Sequence, residues 1–277
     1  MECFGEILDT VRRKSPVVHS ITNYVTVNDC ANIILATGAS PIMADDVAEV
    51  EQIVALSSAL VINIGTLNTR TVASMLLAGK RANDLNIPVV LDPVGAGASD
   101  LRNDTLRALL QQVRFAAIKG NISEIRFLAG DRATGRGVDA DADSLVSEEN
   151  LDGTARTALD LCEATGAVVV ISGRIDIVAH PKGAWAVYNG DPLMTRITGT
   201  GCMTAALVGC CVGAAPTELP QACLCAMCAM GAAGEIAAEN MGAVGGGTGT
   251  FRPLLLDAMN SLDGPAITCR AKVKHIA

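Results

Sequence analysis

The fold is decided by a run of five apolar residues, Ala167-Val168-Val169-Val170-Ile171, which leads directly into Ser172-Gly173. A short, continuously apolar run rich in β-branched residues is typical of a strand that is covered on both faces. Three similar runs precede it in the chain: Leu60-Val61-Ile62-Asn63-Ile64, Pro88-Val89-Val90-Leu91 and Phe115-Ala116-Ala117-Ile118. Together these runs predict a set of buried strands.

The segments between the runs repeat apolar residues every three or four positions, which is the period of a helix packed on one face. The clearest are residues 71–85, 101–113 and 153–164. Strands that alternate with helices predict an α/β fold, in which a central, mostly parallel sheet carries helices on both faces.

The pattern changes after the last of these strands. Residues 175–187 predict a hairpin with Pro181-Lys182-Gly183 as its turn. Three helices are expected to follow, from about Gly199, Glu218 and Pro253.

One polar interval, residues 131–150, is rich in Gly and Asp and resembles a linker between two domains. The strand pattern resumes unchanged after it, so we interpret it as a surface loop. We therefore expect residues 1–277 to form a single domain.

The composition excludes nucleic acid as an expected partner. Half of the 277 residues are hydrophobic, but only 4 Phe, 1 Trp and 2 Tyr are present, so aromatic platforms for bases are scarce. The 29 acidic and 21 basic residues give a net charge of −8, and no cluster of Lys and Arg offers a surface for a phosphate backbone.

The amino terminus, Met1-Glu2-Cys3-Phe4-Gly5-Glu6, is acidic and has no apolar run. We therefore expect no signal peptide and a cytoplasmic location, where the ten cysteines stay reduced.

The mean hydropathy is high, at +0.37. Residues 199–216 are the longest weakly polar stretch, but a bilayer takes about 20 apolar residues, so we predict a buried helix and no membrane partner. So apolar a composition favours a homo-oligomer that buries surface between subunits.

Polar residues follow three of the predicted strands. Asp92 follows Leu91, Lys119-Gly120-Asn121-Ile122-Ser123-Glu124 follows Ile118, and Ser172 follows Ile171. Ligands of parallel α/β sheets bind beyond the carboxyl ends of the strands, and carboxylates, a cation and a hydroxyl there suit Mg²⁺ and a polyphosphate. A structural interpretation stays open, in which Asp92 and Asn121 cap the following helices and Glu124 lies in a first helical turn.

The segment Thr198-Gly199-Thr200-Gly201-Cys202 precedes the most apolar predicted helix. Glycines let backbone N–H groups approach a ligand, and a helix amino terminus favours an anion, so this segment is a candidate cradle for a migrating phosphoryl group. It is not a Walker A loop, because no Gly-Lys-Ser/Thr follows. The alternative is a tight turn that only starts a buried helix.

Two further features are interpreted as structural. Cys223, Cys225 and Cys228 would point three ways from a helix, so they cannot share one metal ion and packing is favoured. His19 has no legible catalytic partner and is interpreted as a packed residue after a short early strand.

Two of these motifs, taken together, resemble those of a known superfamily. Asn121-x-x-Glu124, followed far downstream by Gly199-Thr200-Gly201-Cys202, is similar to the pattern of the ribokinase superfamily, whose usual Gly-Asp ending is here Gly201-Cys202. Within it, the chain resembles the hydroxyethylthiazole kinase family over nearly its whole length, through His19-Ser20-Ile21-Thr22-Asn23, Gly38-Ala39-Ser40-Pro41-Ile42-Met43, Asn63-Ile64-Gly65-Thr66-Leu67, Leu91-Asp92-Pro93-Val94-Gly95 and Gly190-Asp191-Pro192-Leu193-Met194.

The resemblance implies a ribokinase-like fold and ATP-dependent phosphorylation of the hydroxyl of 4-methyl-5-(2-hydroxyethyl)thiazole, a step of thiamine biosynthesis and salvage. It also implies Mg²⁺ and a homotrimer whose active sites lie between subunits.

Carried over by position, the resemblance implies roles for single residues. The thiazole pocket would be lined by Asn23, Met43, Gly65 and Gly199. Mg²⁺ would be held by Asp92 and Glu124, and ATP by Lys119, Asn121 and Ser172. Lys119 and Ser172 stand where the family commonly has Arg and Thr, and Lys offers a point charge in place of a planar fork. The catalytic group would be Gly199, Thr200 and Gly201, which stabilise charge on the phosphoryl group, with Cys202 facing the substrate hydroxyl.

Three alternatives remain. One is another kinase of the superfamily, such as one acting on a hydroxymethylpyrimidine. A second is a trimeric protein that binds the thiazole or a nucleotide without turnover. A nicotinamide dehydrogenase is disfavoured, because no Gly-x-Gly-x-x-Gly follows the first strand.

Overall fold

The structure, a computed structural model, describes residues 4–130 and 146–277. Within these residues the strands are β1 (Val17–Ile21), β2 (Ser40–Ile42), β3 (Ala59–Asn63), β4 (Val89–Asp92), β5 (Ala117–Asn121), β6 (Val168–Ser172), β7 (Asp176–His180), β8 (Gly183–Val187) and β9 (Val273–His275). They form one sheet in the order β2-β1-β3-β4-β5-β6-β7-β8-β9. The pairs from β2 to β6 are parallel and those from β6 to β9 antiparallel.

The described helices are α1 (Glu6–Lys14), α2 (Val27–Thr37), α3 (Val50–Ala55), α4 (Thr69–Asp84), α5 (Asp100–Gln112), α6 (Ile122–Leu128), α7 (Leu151–Thr165), α8 (Thr200–Ala214), α9 (Leu219–Val244), α10 (Thr248–Ser261) and α11 (Gly264–Arg270). A 3₁₀ turn, Pro192–Arg196, precedes α8. Helices α3 to α7 pack on one face of the sheet, and α1, α2 and α8 to α11 pack on the other. The α/β prediction is therefore confirmed.

Successive residues of each strand point to opposite faces, so each strand feeds two cores. In β6, Val168 and Val170 face the core that contains α8 and α9, while Val169 and Ile171 face the core that contains α7. Both faces are buried. This explains why the strands have continuous apolar sequences instead of alternating ones.

The four predicted runs all overlap strands, and the predicted hairpin is β7 and β8. The run Phe115–Ile118 overlaps least, because β5 begins at Ala117 and includes Lys119, Gly120 and Asn121, which were expected to follow it. Several details were wrong. The strand predicted to run to Ile64 ends at Asn63, and the helix predicted from about Pro253 begins at Thr248, with Pro253 inside it. His19 was expected after a short early strand but lies within β1, where its Nε2 is 2.7 Å from the Ala44 carbonyl oxygen. The strands β2 and β9 and the helix α11 were not predicted.

Other expectations from the sequence concern the polar interval and the apolar helices. The interpretation of residues 131–150 as a surface loop falls mainly on 131–145, which lie outside the described residues. Helix α8 is buried, as expected. The longer α9 is long and apolar enough to cross a membrane, but 78% of its most apolar window is buried in the fold, as is typical of a core helix. Its Cys223, Cys225 and Cys228 are buried free thiols.

Close packing of α8 on the sheet depends on Gly209. A Cβ at this position would lie 2.5 Å from Cγ2 of Val61 and 3.2 Å from Cγ1 of Val18. Both neighbours are fully or almost fully buried and branched at Cβ, so they have little freedom to move aside. A side chain at residue 209 would therefore push the helix away from β1 and β3.

We predict that Gly209→Ala lowers the free energy of unfolding by about 1–3 kcal/mol, because overpacking outweighs the gain in helix propensity. Gly153→Ala is the matched control. It also replaces a helical glycine, but nothing lies within 4 Å of the added Cβ, and it should stabilise by up to about 1 kcal/mol. Urea unfolding of both variants checks this, and equal shifts of the same sign would contradict it.

Candidate active site

The carboxyl ends of the parallel strands bring polar side chains together at one edge of the sheet. Asn63 at the end of β3 lies opposite Asp92 at the end of β4. Asn121 at the end of β5 lies opposite Ser172 at the end of β6. The first turn of α8 meets the same edge, and most of the site residues predicted from the sequence lie on these elements.

Cys202, in the first turn of α8, is held by two side-chain amides. Its Sγ accepts from Nδ2 of Asn23 at 3.2 Å and from Nδ2 of Asn63 at 3.3 Å. Nδ2 of Asn63 also donates to Oδ2 of Asp92 at 2.6 Å. Asn23, Cys202 and Asp92, which were predicted for substrate, catalysis and metal, are thus joined in one hydrogen-bonded group. The connecting residue is Asn63, to which the sequence assigned no role.

Asp92 is buried at the end of β4. Burial raises the pKa of this carboxyl to about 7, the nearby charge of Glu124 adds to the rise, and the Lys119 ammonium opposes it. Asp92 does not cap the next helix, so that structural interpretation was wrong for this residue. The structure pairs Asp92 with Asn63 instead.

Glu124 and Asn121 form a capping box at the start of α6. Oε2 of Glu124 accepts from the Asn121 amide at 2.7 Å, and Oε1 accepts from the Gly95 amide at 2.9 Å. The structural interpretation of both residues is therefore confirmed. Burial raises the pKa of Glu124, whereas the two backbone donors lower it. Each carboxylate oxygen has a second lone pair, so a capping role leaves Glu124 able to face a cation or its water.

Lys119 and the glycine-rich turn approach each other across the edge. Lys119 is buried in β5, and its Nζ lies 3.2 Å from the position that a Cβ of Gly201 would occupy. Gly199 has a φ of 91°, and a Cβ there would lie 2.8 Å from Cγ2 of Thr26. The hydroxyl of Thr200 donates to the Met194 carbonyl at 3.1 Å. Its backbone N–H, with those of Gly201 and Cys202, belongs to the first turn of α8, whose N–H groups have no partner within the helix and can face an anion.

The other predicted residues are placed as follows. A Cβ at Gly65 would lie 3.0 Å from Nδ2 of Asn23, so these two predicted pocket residues are neighbours. Met43 follows β2 and is half-buried against the core. The Ser172 hydroxyl donates to the Gly120 carbonyl at 3.4 Å, which places it beside the start of the capping box.

The Cys202 thiol is poorly suited to ionise. Burial raises its pKa, and the charge of Asp92 raises it further. The Lys119 ammonium and hydrogen bonds to Thr26 and Asn63 act in the opposite direction. The group therefore stays a thiol near neutral pH.

Two residues of the site were missed from the sequence. Asn63 is a polar residue directly after the apolar Leu60-Val61-Ile62, and the same pattern led to the prediction of Asp92. Asn63 was overlooked because the strand was predicted to continue to the apolar Ile64. Arg102 donates to the carbonyls of Ile64 and Gly65 after β3 and of Val94 after β4. Nothing in the sequence around Arg102 marks it, because its partners are backbone atoms distant in the chain.

The chain is similar to known proteins over almost its whole length. The profile of the hydroxyethylthiazole kinase family matches residues 8–264. The chain belongs to the hydroxyethylthiazole kinase family. It is 68% identical to a hydroxyethylthiazole kinase of Desulfovibrio desulfuricans, over 100% of this chain and 99% of that protein.

Solved structures place this family member among the ribokinase-like folds. The hydroxyethylthiazole kinase protein from Pyrococcus horikoshii OT3 superposes with a TM-score of 0.86 at 35% identity, covering 99% of each chain. A ribokinase-like superfamily protein from Enterococcus faecalis V583 superposes with a TM-score of 0.58 at 11% identity, covering 92% of this chain and 93% of that one. The second likeness bears on the fold alone. The ribokinase-like expectation is confirmed.

A further buried carboxyl lies close to the edge of the sheet formed by the carboxyl ends of the parallel strands. Asp176 begins β7, and its Oδ1 accepts from the Gly173 amide at 2.8 Å. Burial raises its pKa to about 7. Since this is above the value of an unfolded aspartate, the folded protein holds a proton that the unfolded chain releases. Stability from this group is therefore present at acidic pH and is lost as pH rises to about 7.

We predict that Asp176→Asn, which keeps the oxygen that accepts from Gly173, raises the melting temperature relative to the parent protein by at least about 3 °C more at pH 8 than at pH 5. Asp152→Asn replaces an exposed aspartate and serves as the control. Thermal melts at both pH values measure the differences. A difference for Asp176→Asn that does not change with pH would refute the assignment.

Proposed function

We propose that this chain transfers the γ-phosphoryl group of ATP to the hydroxyl of 4-methyl-5-(2-hydroxyethyl)thiazole, in thiamine biosynthesis and salvage. The observation that carries the proposal is the group of Cys202, Asn63 and Asp92 at the sheet edge, with Lys119 against the Gly201 turn, in a member of this kinase family.

Phosphoryl transfer depends on alignment and on stabilisation of charge, with little covalent chemistry for the protein to perform. The Lys119 ammonium and the N–H groups at the start of α8 supply positive potential from two sides. Asn121 and Ser172, on neighbouring strand ends, are proposed to contact ATP with Lys119. The transferred group then lies between the nucleotide and Cys202.

The donor set at the strand ends suits Mg²⁺. Asp92 and Glu124 are close enough for the charge of Glu124 to raise the pKa of Asp92, so a cation near both would relieve their repulsion. Mg²⁺ in kinases takes one or two carboxylates and completes its ligands with water and phosphate oxygens. We propose that these two residues hold it, directly or through water. Bound there, Mg²⁺ would neutralise charge on the phosphates.

The thiazole alcohol is proposed to bind next to Cys202. Asn23 adjoins the thiol, and Gly65 adjoins Asn23. Gly199 precedes the helix that carries the thiol. Together with Met43 they are proposed to line a small, largely apolar pocket for a neutral heteroaromatic ring. The Cys202 sulfur is proposed to face the substrate hydroxyl as a thiol. In a loose transition state the hydroxyl keeps its proton until late, so a strong base is not required.

The chain is further proposed to act in the cytoplasm as a homotrimer of single-domain subunits, residues 1–277. Tyr24 and Val25, next to Asn23, are 77% and 58% exposed. Apolar side chains exposed beside a substrate pocket suit a site that a second subunit completes. Light scattering should give the mass of three chains for the active protein, and full activity in a monomer would remove the shared site.

Release of ADP tests the function directly. We expect the purified protein to form ADP only when the thiazole alcohol, ATP and Mg²⁺ are all present, and Asp92→Ala to lose most of that activity. Binding of the thiazole alcohol without ADP release would identify a binding protein instead. Faster turnover of a hydroxymethylpyrimidine would identify a different kinase of the superfamily.

The turn and the thiol should contribute unequally. We predict that Cys202→Ala lowers turnover by less than about a hundredfold. A general acid or base contributes about a hundredfold or more where one operates, and the Cys202 thiol is not expected to act as one. Gly201→Val should lower it more, since its side chain would displace Lys119 and obstruct the phosphates. Cys202→Asp should stay active, because related kinases carry Asp there. Turnover at saturating substrates measures all three variants. A loss of about ten-thousandfold in Cys202→Ala, with unchanged thiazole binding, would make the thiol essential.

A further inference from the structure

Asn63 makes the largest number of hydrogen bonds that a side-chain amide can make. Its Nδ2 donates to Oδ2 of Asp92 at 2.6 Å and to Sγ of Cys202 at 3.3 Å. Its Oδ1 accepts from Nδ2 of Asn23 at 3.1 Å and from the Gly65 amide at 2.9 Å. Two donor hydrogens and two lone pairs are all used, in a side chain that is 2% exposed.

Backbone groups determine which way the two amides of this group point. The Gly65 N–H can only donate, so it identifies the oxygen of Asn63 and turns the nitrogen toward Asp92 and Cys202. The Thr26 N–H donates in the same way to Oδ1 of Asn23 at 3.1 Å, which turns the Asn23 nitrogen toward the sulfur. Neither amide can be reversed without setting two donors or two acceptors against each other.

The sulfur of Cys202 is therefore fixed as an acceptor of two N–H groups. A thiol held in this way has a defined side-chain orientation, and its hydrogen points away from both amides. Oδ2 of Asp92 is fixed by the same Asn63 nitrogen. One side chain thus determines the orientation of both a proposed metal ligand and the group next to the substrate hydroxyl.

We infer that Asn63 is a positioning residue for phosphoryl transfer, acting through Asp92 and Cys202. This inference rests on the proposed function. Asn63 orients the two side chains whose alignment the reaction needs, and a small misplacement of such groups costs far more in turnover than in binding.

Two variants test this role. Asn63→Asp is nearly isosteric and keeps the oxygen that accepts from Asn23 and Gly65. As a carboxylate its other oxygen donates to neither Asp92 nor Cys202, and when it shares a proton with the adjacent Asp92 it donates to that residue alone, so the sulfur loses its donor in both states. Asn63→Ala removes the whole amide. We expect each to lower kcat at least thirtyfold. Asn63→Asp keeps the acceptor for Asn23 and Gly65, so its KM for the thiazole alcohol should change less than fivefold. Asn63→Asp carries the test where Asn63→Ala fails to fold.

Asn83→Ala is the matched control. Both atoms of the Asn83 amide are bonded, to the Arg114 carbonyl at 2.9 Å and the Arg114 amide at 2.6 Å, at the opposite end of the sheet. It should leave kcat within twofold of the parent protein. An equal loss of kcat in the control, or a kcat within threefold of the parent in folded Asn63→Asp, would overturn the inference.

A second readout does not require turnover. The rate at which iodoacetamide alkylates Cys202 at pH 8, followed by mass spectrometry of its peptide, should fall at least fivefold in Asn63→Asp. The sulfur there loses the N–H that Asn63 donates, which orients it and would stabilise its thiolate. An unchanged rate would show that Asn63 does not position the sulfur. If the parent protein forms no ADP, the proposed function fails, while the alkylation rates still decide whether Asn63 holds Cys202.

Discussion

Asn63 and Asp92 end neighbouring parallel strands in register, and the 2.6 Å hydrogen bond between their side chains joins the two halves of the site. On one side, Asn63 reaches Asn23 and Cys202. On the other, Asp92 faces the charges of Lys119 and Glu124. These groups come from three strands, two helices and the loop between β1 and α2, so their meeting depends on the parallel direction and register of the sheet.

The register is in turn maintained by the two cores. A shift of one residue along a strand would move every side chain to the opposite face, which would bury Asn63 and Asp92 among the wrong neighbours. Helix α8 has a second constraint, because Gly209 brings it close to β1 and β3 while its first turn carries Gly201 and Cys202. The packing that stabilises the fold therefore also sets the distance between the glycine-rich turn and Lys119.

Much of this arrangement could be predicted from the sequence, because continuous apolar runs identify strands buried on both faces and their last residues identify the site. Asp92, Lys119 and Ser172 were predicted as site residues in this way, and they lie in β4, β5 and β6. Asn63 was missed because the apolar Ile64 follows it, so that the polar residue was placed inside a predicted strand and not at its end. Short elements such as β2 and β9 have only three residues each. Too few positions repeat in them to give a pattern, and their pairing depends on the rest of the sheet.

We propose that the phosphates, the metal and the substrate hydroxyl meet at the carboxyl ends of β3 to β6. A crystal structure with the thiazole alcohol, Mg²⁺ and a non-hydrolysable ATP analogue would locate all three. We expect the terminal phosphate against the backbone N–H of Gly201 and against Lys119, with the metal or its waters on Asp92 and Glu124. Nucleotide bound at the opposite end of the sheet, in the groove beside Trp185 and Gln221, would contradict it.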